Sequence, residues 1–362
     1  MKLLIAGGGT GGHLYPGVAL AEEFTTRKSG NEVLFVGTER GLEARVIPEL
    51  GYPLELVEVR GLKGTGLMNR IRGFAALPLA LVQSFSILRR FKPDIAVGVG
   101  GYASGPVILA AWLCRIPTAI LEQNTVPGIT NRILSRIVRG IYVMFEGSRT
   151  YFPGAKVHVL GNPIRRQLLD NFLRSTQEAN GKFNILVLGG SQGAHAVNLR
   201  MVEAAAHFGE AETELRIVHQ TGAKDEAQIR KGYEELGTDA EVHAFITNMS
   251  EAYRRADLVV CRSGATTLAE VMVAKKPSIL IPFPFATDNH QEKNAQEMVD
   301  AGAAILMIER ELDGRRLAET ILQLHRSPSR RQDMEQAASR VGRPEAAREI
   351  IDACVQMTGR AG

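Results

Sequence analysis

The chain carries one short pattern twice. Residues 2–13 read KLLIAGGGTGGH and residues 184–195 read NILVLGGSQGAH, so the second copy begins 182 residues after the first. Each copy is an apolar run, a glycine cluster, small polar residues and a histidine, followed by a helix-like stretch. That order predicts a strand, a glycine turn and a helix N-terminus, the opening unit of a nucleotide-binding α/β domain. Two copies half a chain apart predict two such domains facing each other, with the ligand between them.

Length agrees, since 362 residues suit two domains of about 150–200 residues better than one core. Composition serves mainly to exclude. A formal net charge of only +4 argues against a dedicated nucleic-acid binder. Cys114, Cys261 and Cys354 lie far apart with no CxxC or Cys/His spacing, which predicts a reducing compartment and no metal site. The short LLIA run before the glycines is not a signal peptide. Ile95 to Cys114 is uncharged over about a membrane span's length. Its glycines and Pro106 instead predict a strand (IAVGV), a glycine loop (GGYASGP) and a buried helix (VILAAWL).

Strand-like runs recur at 3–6, 32–36, 54–59, 95–99, 118–121 and 140–143, then at 184–188, 215–219, 241–244, 258–261, 278–281 and 304–307. Helical patterns fall between them, including 16–27, 41–50 and 77–90 in the first half. Short apolar strands alternating with helices predict parallel sheets covered on both faces. Asn162-Pro163 marks a turn and a boundary. The expected domains are 1–162 and 163–340, with an amphipathic tail at 341–362 packing back on the first.

Four kinds of segment can carry chemistry. The glycine turns GGGTGGH (7–13) and GGSQGAH (189–195) let a ligand approach the backbone, and their N–H groups can hold an oxyanion. Gly7, Gly9 and Gly12 also satisfy G-x-G-x-x-G, with Glu39 near the distance for a ribose. In SGATTLAE (263–270) a helix starts at a strand end, and Glu270 can clamp both hydroxyls of a ribose. DNHQEKNA (288–295) groups Asp288, Asn289, His290, Gln291 and Asn294, all able to read sugar hydroxyls. In EQNTVPG (122–128), Glu122, Gln123 and Asn124 can contact a sugar or orient a base. Residues 60–92 hold seven Lys/Arg and no acid, interleaved with apolar residues, a pattern that reads as contact with an anionic membrane surface. No paired acids near either turn call for a metal.

With these motifs in hand, the chain resembles the MurG family, the undecaprenyl-diphosphomuramoylpentapeptide N-acetylglucosaminyltransferases of glycosyltransferase family 28. The resemblance rests on GGGTGGHLYPG, GTERGLEARVIPELGY, VGGYASGP, EQNTVPG, GNPIR, GGSQGAH, HQTG, SGATTLAE and DNHQEKNA, in that order along the whole chain. It implies a GT-B fold, an α/β architecture of two Rossmann-like domains facing across a cleft, with no cofactor and no metal. It implies that Thr10, Gly11 and Gly12 lie against the donor UDP-GlcNAc and that Asn124 touches its sugar. Arg165 and Ser191 would hold the diphosphate, and Phe245 and the backbone of Ile246 would meet the uracil. Ala265, Thr266, Thr267, Leu268, Ala269 and Glu270 would cradle phosphates and ribose, and Gln291 would read the GlcNAc hydroxyls. His13 becomes the candidate general base, a role suited to a side chain with a reference pKa of about 6.5, and Glu122 the next candidate. Thr247-Asn248, Cys261 and Leu160 depart from the family pattern, none at a proposed catalytic position.

The implied reaction moves GlcNAc to the C4 hydroxyl of the MurNAc in lipid I, with inversion, releasing UDP at the cytoplasmic face of a bacterial membrane. Three other readings follow from the same residues. A UDP-GlcNAc 2-epimerase would act on the donor alone and need no basic-apolar segment. A nicotinamide-dependent oxidoreductase would change nicotinamide absorbance or fluorescence. A non-catalytic nucleotide or lipid sensor would bind without releasing UDP.

Overall fold

A computed structural model describes residues 1–59, 67–174, 181–190 and 193–359 of the chain. It divides into two compact units, Met1–Arg166 with Pro344–Gly362, and Gln167–Arg343.

The first unit alternates β1 (Lys2–Gly7), α1 (Gly11–Arg27), β2 (Glu32–Gly37), α2 (Glu43–Glu49), β3 (Leu54–Leu56), α3 (Leu67–Phe91), β4 (Ile95–Gly100), α4 (Ser104–Leu113), β5 (Thr118–Glu122), α5 (Ile129–Leu134), β6 (Gly140–Val143) and β7 (Val157–Val159). The seven strands form one parallel sheet in the order β3-β2-β1-β4-β5-β6-β7. Successive residues of β1 point to opposite faces, and both faces are buried. Leu3 and Ile5 join a core with Leu14, Val18 and Phe24 of α1, whereas Leu4 and Ala6 join one with Val107 and Ile108 of α4. A strand covered on both sides must be apolar at every position, which is why these runs do not alternate with polar residues. The stretch from Ile95 to Cys114 folds as strand, glycine turn and helix. Its helix is not wholly buried, because Trp112 and Leu113 are exposed.

After α6 (Arg166–Arg174), the second unit contains β8 (Phe183–Leu188), α7 (His195–Ala205), β9 (Leu215–Gln220), α8 (Glu226–Leu236), β10 (Ala240–His243), α9 (Met249–Arg255), β11 (Leu258–Cys261), α10 (Ala265–Val273), β12 (Ser278–Leu280), α11 (His290–Asp300), β13 (Ala304–Leu306), α12 (Gly314–His325) and α13 (Pro328–Val341). Its parallel sheet runs β10-β9-β8-β11-β12-β13. In both sheets the strand order reverses beside the strand that opens the unit, the topological switch where open α/β sheets bind ligands.

The C-terminal part of the chain is two helices with a break between them. Gly342 and Pro344 end α13, because proline cannot continue a helix and restricts the residue before it. The chain resumes as α14 (Ala346–Met357) in the first unit. There Ile350, Ile351 and Cys354 enter the core beside α1, and Arg27 pairs with Asp352 at 2.6 Å. Among the described residues no helix is long and apolar enough to cross a membrane.

Candidate functional site

In the first unit the β1–α1 turn is built almost without side chains. Gly7, Gly8 and Gly9 all have positive φ. A Cβ on Gly7 would sit 2.2 Å from the Gly100 carbonyl oxygen, and one on Gly8 would sit 2.3 Å from the Glu43 carboxylate. Glu43 is buried, and its carboxylate accepts from the Gly9 N–H at 2.7 Å and from the Thr38 N–H and hydroxyl at 2.9 and 3.0 Å. Glu43, not among the candidate site residues, thus ties the first glycine turn to the loop after β2. An acid within a glycine-rich run (GTERGLE) was the available signal.

Thr10 is the N-cap of α1, and its own side chain makes no capping hydrogen bond to that helix start. His13 lies in its first turn. Its Nδ1 is 3.0 Å from Gln123 Oε1, and Gln123 Nε2 donates to the Val99 carbonyl at 2.9 Å. Arg165 belongs to this unit as well, with its guanidinium 4.7 Å from the centre of the Tyr15 ring. Tyr15 is two residues beyond His13, so this stacking brings Arg165 to the same helix start.

Glu122 is 1% exposed. Its Oε1 accepts from the Asn124 N–H at 3.0 Å, and its Oε2 accepts from the Gly128 N–H at 3.1 Å and Asn131 Nδ2 at 2.9 Å. Asn124 Nδ2 also reaches Oε1, at 3.4 Å. Both oxygens are thus committed to holding the loop after β5.

In the second unit Ser191 lies outside the described residues. Around it, Gly193 has positive φ, and a Cβ there would come 2.5 Å from the Thr221 carbonyl oxygen. Gln220, at the end of β9, accepts from the Ile246 N–H at 2.9 Å through Oε1. The Ile246 N–H is therefore occupied, and its carbonyl is the backbone group left to meet a base. Gln220 is a second residue missed in the sequence. Phe245, beside Ile246, is exposed.

Helix α10 starts at Ala265 with Gly264 as N-cap and no side-chain cap. Uncapped helix starts attract anions through their N–H groups and dipole. Leu268 is fully buried and Ala265 and Ala269 nearly so. These three can meet a ligand only through the backbone, whereas Thr266, Thr267 and Glu270 keep partly exposed side chains. Glu270 Oε2 accepts from the buried Tyr253 hydroxyl at 3.1 Å.

The polar cluster at 288–295 is less available than its composition suggests. Asn289 Nδ2 donates to Glu292 at 2.6 Å, His290 Nδ1 lies 2.7 Å from the Thr287 carbonyl, and Asn294 is fully buried and donates to the Ser263 carbonyl. Gln291 accepts from the Phe283 N–H at 2.9 Å, which orients its amide with Nε2 as the donating end. Among the described residues no group of three or more His, Cys, Asp or Glu is placed to hold a metal.

The basic-apolar segment is described only in part. Residues 60–66 lie outside the described residues, as do the side chains of 67–76, which include Arg70 and Arg72. Further along α3, Leu77, Leu79 and Val82 are exposed, Val82 at 65%. Arg90 pairs with Glu55 at 2.7 Å.

Comparison with known proteins follows the same division. Residues 3–143 match the glycosyltransferase family 28 N-terminal domain, and residues 184–350 match the family's C-terminal domain. The chain is 59% identical over 357 residues to the UDP-N-acetylglucosamine–N-acetylmuramyl-(pentapeptide) pyrophosphoryl-undecaprenol N-acetylglucosamine transferase of Myxococcus xanthus, covering 99% of this chain and 93% of that one. The crystal structure of Acinetobacter baumannii MurG superposes with a TM-score of 0.81 at 28% identity, over 98% of this chain and 99% of that one. A UDP-GlcNAc 2-epimerase from Neisseria meningitidis superposes at 0.70 but is only 15% identical, over 98% of this chain and 100% of that one, so it shares the fold alone. The chain belongs to glycosyltransferase family 28, and to the MurG family within it.

Proposed function

We infer that the protein transfers GlcNAc from UDP-GlcNAc to the C4 hydroxyl of the MurNAc in lipid I, forming lipid II and UDP. The reading rests above all on the 59% identity with the Myxococcus transferase across both units. In this reaction the acceptor hydroxyl gives its proton to a base, its oxygen bonds to the anomeric carbon, and the bond from that carbon to the diphosphate breaks with its electron pair leaving on UDP. One displacement inverts the anomeric centre. The transition state is oxocarbenium-like, so catalysis needs a base and stabilisation of the departing diphosphate.

His13 is the base. It stands at the start of a helix, with Nδ1 engaged and Nε2 left for the acceptor. Glu122 is not a second base in this account, because each of its oxygens already accepts hydrogen bonds from the loop after β5. It braces Asn124, which touches the donor sugar. Thr10, Gly11 and Gly12 lie against the donor. Arg165 and Ser191, with the helix start at Ala265, Thr266 and Thr267, hold the diphosphate. The Ile246 carbonyl accepts from uracil N3–H, Glu270 takes the ribose diol, and Gln291 Nε2 donates to a GlcNAc hydroxyl.

Residues 60–92, where α3 exposes Leu77, Leu79 and Val82, meet an anionic membrane surface through their Lys and Arg charges. The enzyme then works peripherally at the cytoplasmic leaflet. Two measurements test this reading. Mass analysis of the lipid product should show lipid I gaining one N-acetylhexosamine, and failure to modify the lipid would refute the transfer. Binding to vesicles containing anionic lipid should exceed binding to neutral vesicles, and equal binding would remove the membrane surface from the account.

A further inference from the structure

Three adjacent strands deliver the groups around His13. The sheet order places β1, β4 and β5 side by side. His13 follows β1, Val99 and Gly100 end β4, and Gln123 is the first residue after β5. The β1–β4 register shifts between Ala6 and Gly7, where the glycine turn begins. For Gln123 to reach His13, its side chain must cross the end of β4. Gly100 makes this possible: its φ is +98°, and a Cβ there would lie 2.6 Å from His13 Nδ1.

The hydrogen bonds fix which atom of Gln123 faces which partner. Val99 offers a carbonyl oxygen, which only accepts, so the amide nitrogen must face it. The opposite amide orientation would set two acceptor oxygens 2.9 Å apart. With Nε2 on Val99, Oε1 is the atom 3.0 Å from His13 Nδ1. An amide oxygen has no proton to give, so Nδ1 must carry the hydrogen. In a neutral imidazole the other nitrogen then bears the lone pair. Gln123 is 1% exposed, so water does not compete readily for these bonds.

We propose that Gln123 is the positioning residue of the transfer reaction, locking His13 in the Nδ1–H tautomer so that its Nε2 is the basic atom presented to the acceptor hydroxyl. The proposal rests on His13 being the base. Gln123 does the orienting work that a carboxylate does for histidine in hydrolase triads, but as a neutral group that adds no charge beside the ring. When Nε2 takes the proton, the Nδ1–H···Oε1 bond persists, so the ring keeps its orientation through the step.

The test joins a spectroscopic readout to kinetics. Two-dimensional 1H–15N spectra of imidazole-labelled protein, with His13 assigned by its loss in His13→Ala, should show His13 protonated on Nδ1. In Gln123→Met, which keeps the chain length without donor or acceptor, that tautomer should give way to the Nε2–H form. Turnover should fall by about tenfold or more while KM for UDP-GlcNAc stays within about twofold. A wild-type His13 protonated on Nε2 overturns the proposal, as does a Gln123→Met enzyme with undiminished kcat. If the tautomer is as expected but His13→Ala keeps near-normal turnover, the base assignment fails while the Gln123–His13 geometry stands. The wild-type spectrum decides the tautomer even where a variant folds poorly.

Discussion

Tyr253 donates a 3.1 Å hydrogen bond to Glu270 Oε2 from a phenol buried in the second unit, 17 residues earlier in the chain. Burial, then the nearby Glu270 charge, holds that phenol's pKa well above its ordinary value, so it stays a donor. Phe172 packs edge-on against the same ring, with centroids 5.6 Å apart. The Glu270 carboxylate is thereby fixed in rotation, which is what recognition of two ribose hydroxyls requires. Tyr253→Phe keeps the packing and removes the bond. Its KM for UDP-GlcNAc should rise by about tenfold, the scale of one hydrogen bond to a charged group. Its preference over the 2′-deoxyribose analogue should shrink. An unchanged preference would mean that Tyr253 does not orient the diol clamp.

Glu122 separates bracing from base catalysis. Glu122→Gln turns one acceptor oxygen into a donor facing N–H groups. It should lower folding stability by roughly 1–3 kcal/mol, seen as a shift in urea midpoint at constant slope. Residual turnover should remain measurable. A variant with normal stability and no turnover would make Glu122 the proton acceptor instead.

Glu43 makes the same kind of knot beneath the first glycine turn. Glu43→Ala leaves the Gly9 and Thr38 N–H groups without their acceptor and should cost at least about 1–3 kcal/mol. Gly8→Ala should do comparable harm, since its Cβ would overlap the Glu43 carboxylate and its φ is +139°. Thermal unfolding checks both, and wild-type midpoints would show that the turn tolerates losing its anchor.

His219 gives the second unit a pH dependence. Burial, partly offset by Asp225, pushes its pKa down from 6.5 to about 3. Asn198 Nδ2 donates to the Thr221 carbonyl and to Asp225, so Asn198 Oδ1 accepts from His219 Nε2–H, and His219 Nδ1 accepts from the Tyr233 hydroxyl. The neutral ring is fully used. Between pH 6.5 and about 3 the unfolded chain binds a proton that the folded chain refuses, so stability falls as pH drops through that window. This group contributes at most about 1.4 kcal/mol per pH unit. His219→Gln should flatten the slope of unfolding free energy against pH, measured by urea titration. A variant with the wild-type slope would contradict the assignment.

Both sheets were readable because parallel strands covered on two faces leave uninterrupted apolar runs, as at 3–6 and 258–261. The short β7, just before the Asn162-Pro163 turn, was not among the strand-like runs, and α3 begins ten residues before the Leu77 start expected from sequence. Site residues were readable as types but not as commitments. Asn289, His290, Asn294 and Gln291 are all polar in sequence, yet Asn289 and His290 are tied into their own segment, Asn294 is tied to the Ser263 carbonyl, and Gln291 keeps a donating end. Gln220 and Tyr253 act through Ile246 and Glu270, far from them along the chain. Nothing local marks such partners, because only the sheet and helix packing brings them together.

We expect this protein to break the UDP–sugar bond only to hand the sugar to a lipid-linked acceptor. The most direct measurement is the initial rate of UDP release from UDP-GlcNAc, with and without a lipid I analogue. We predict release that depends on the acceptor and saturates with it, and that is lost in His13→Ala while UDP-GlcNAc still binds. Release at the same rate without acceptor, or none with it, would contradict the claim.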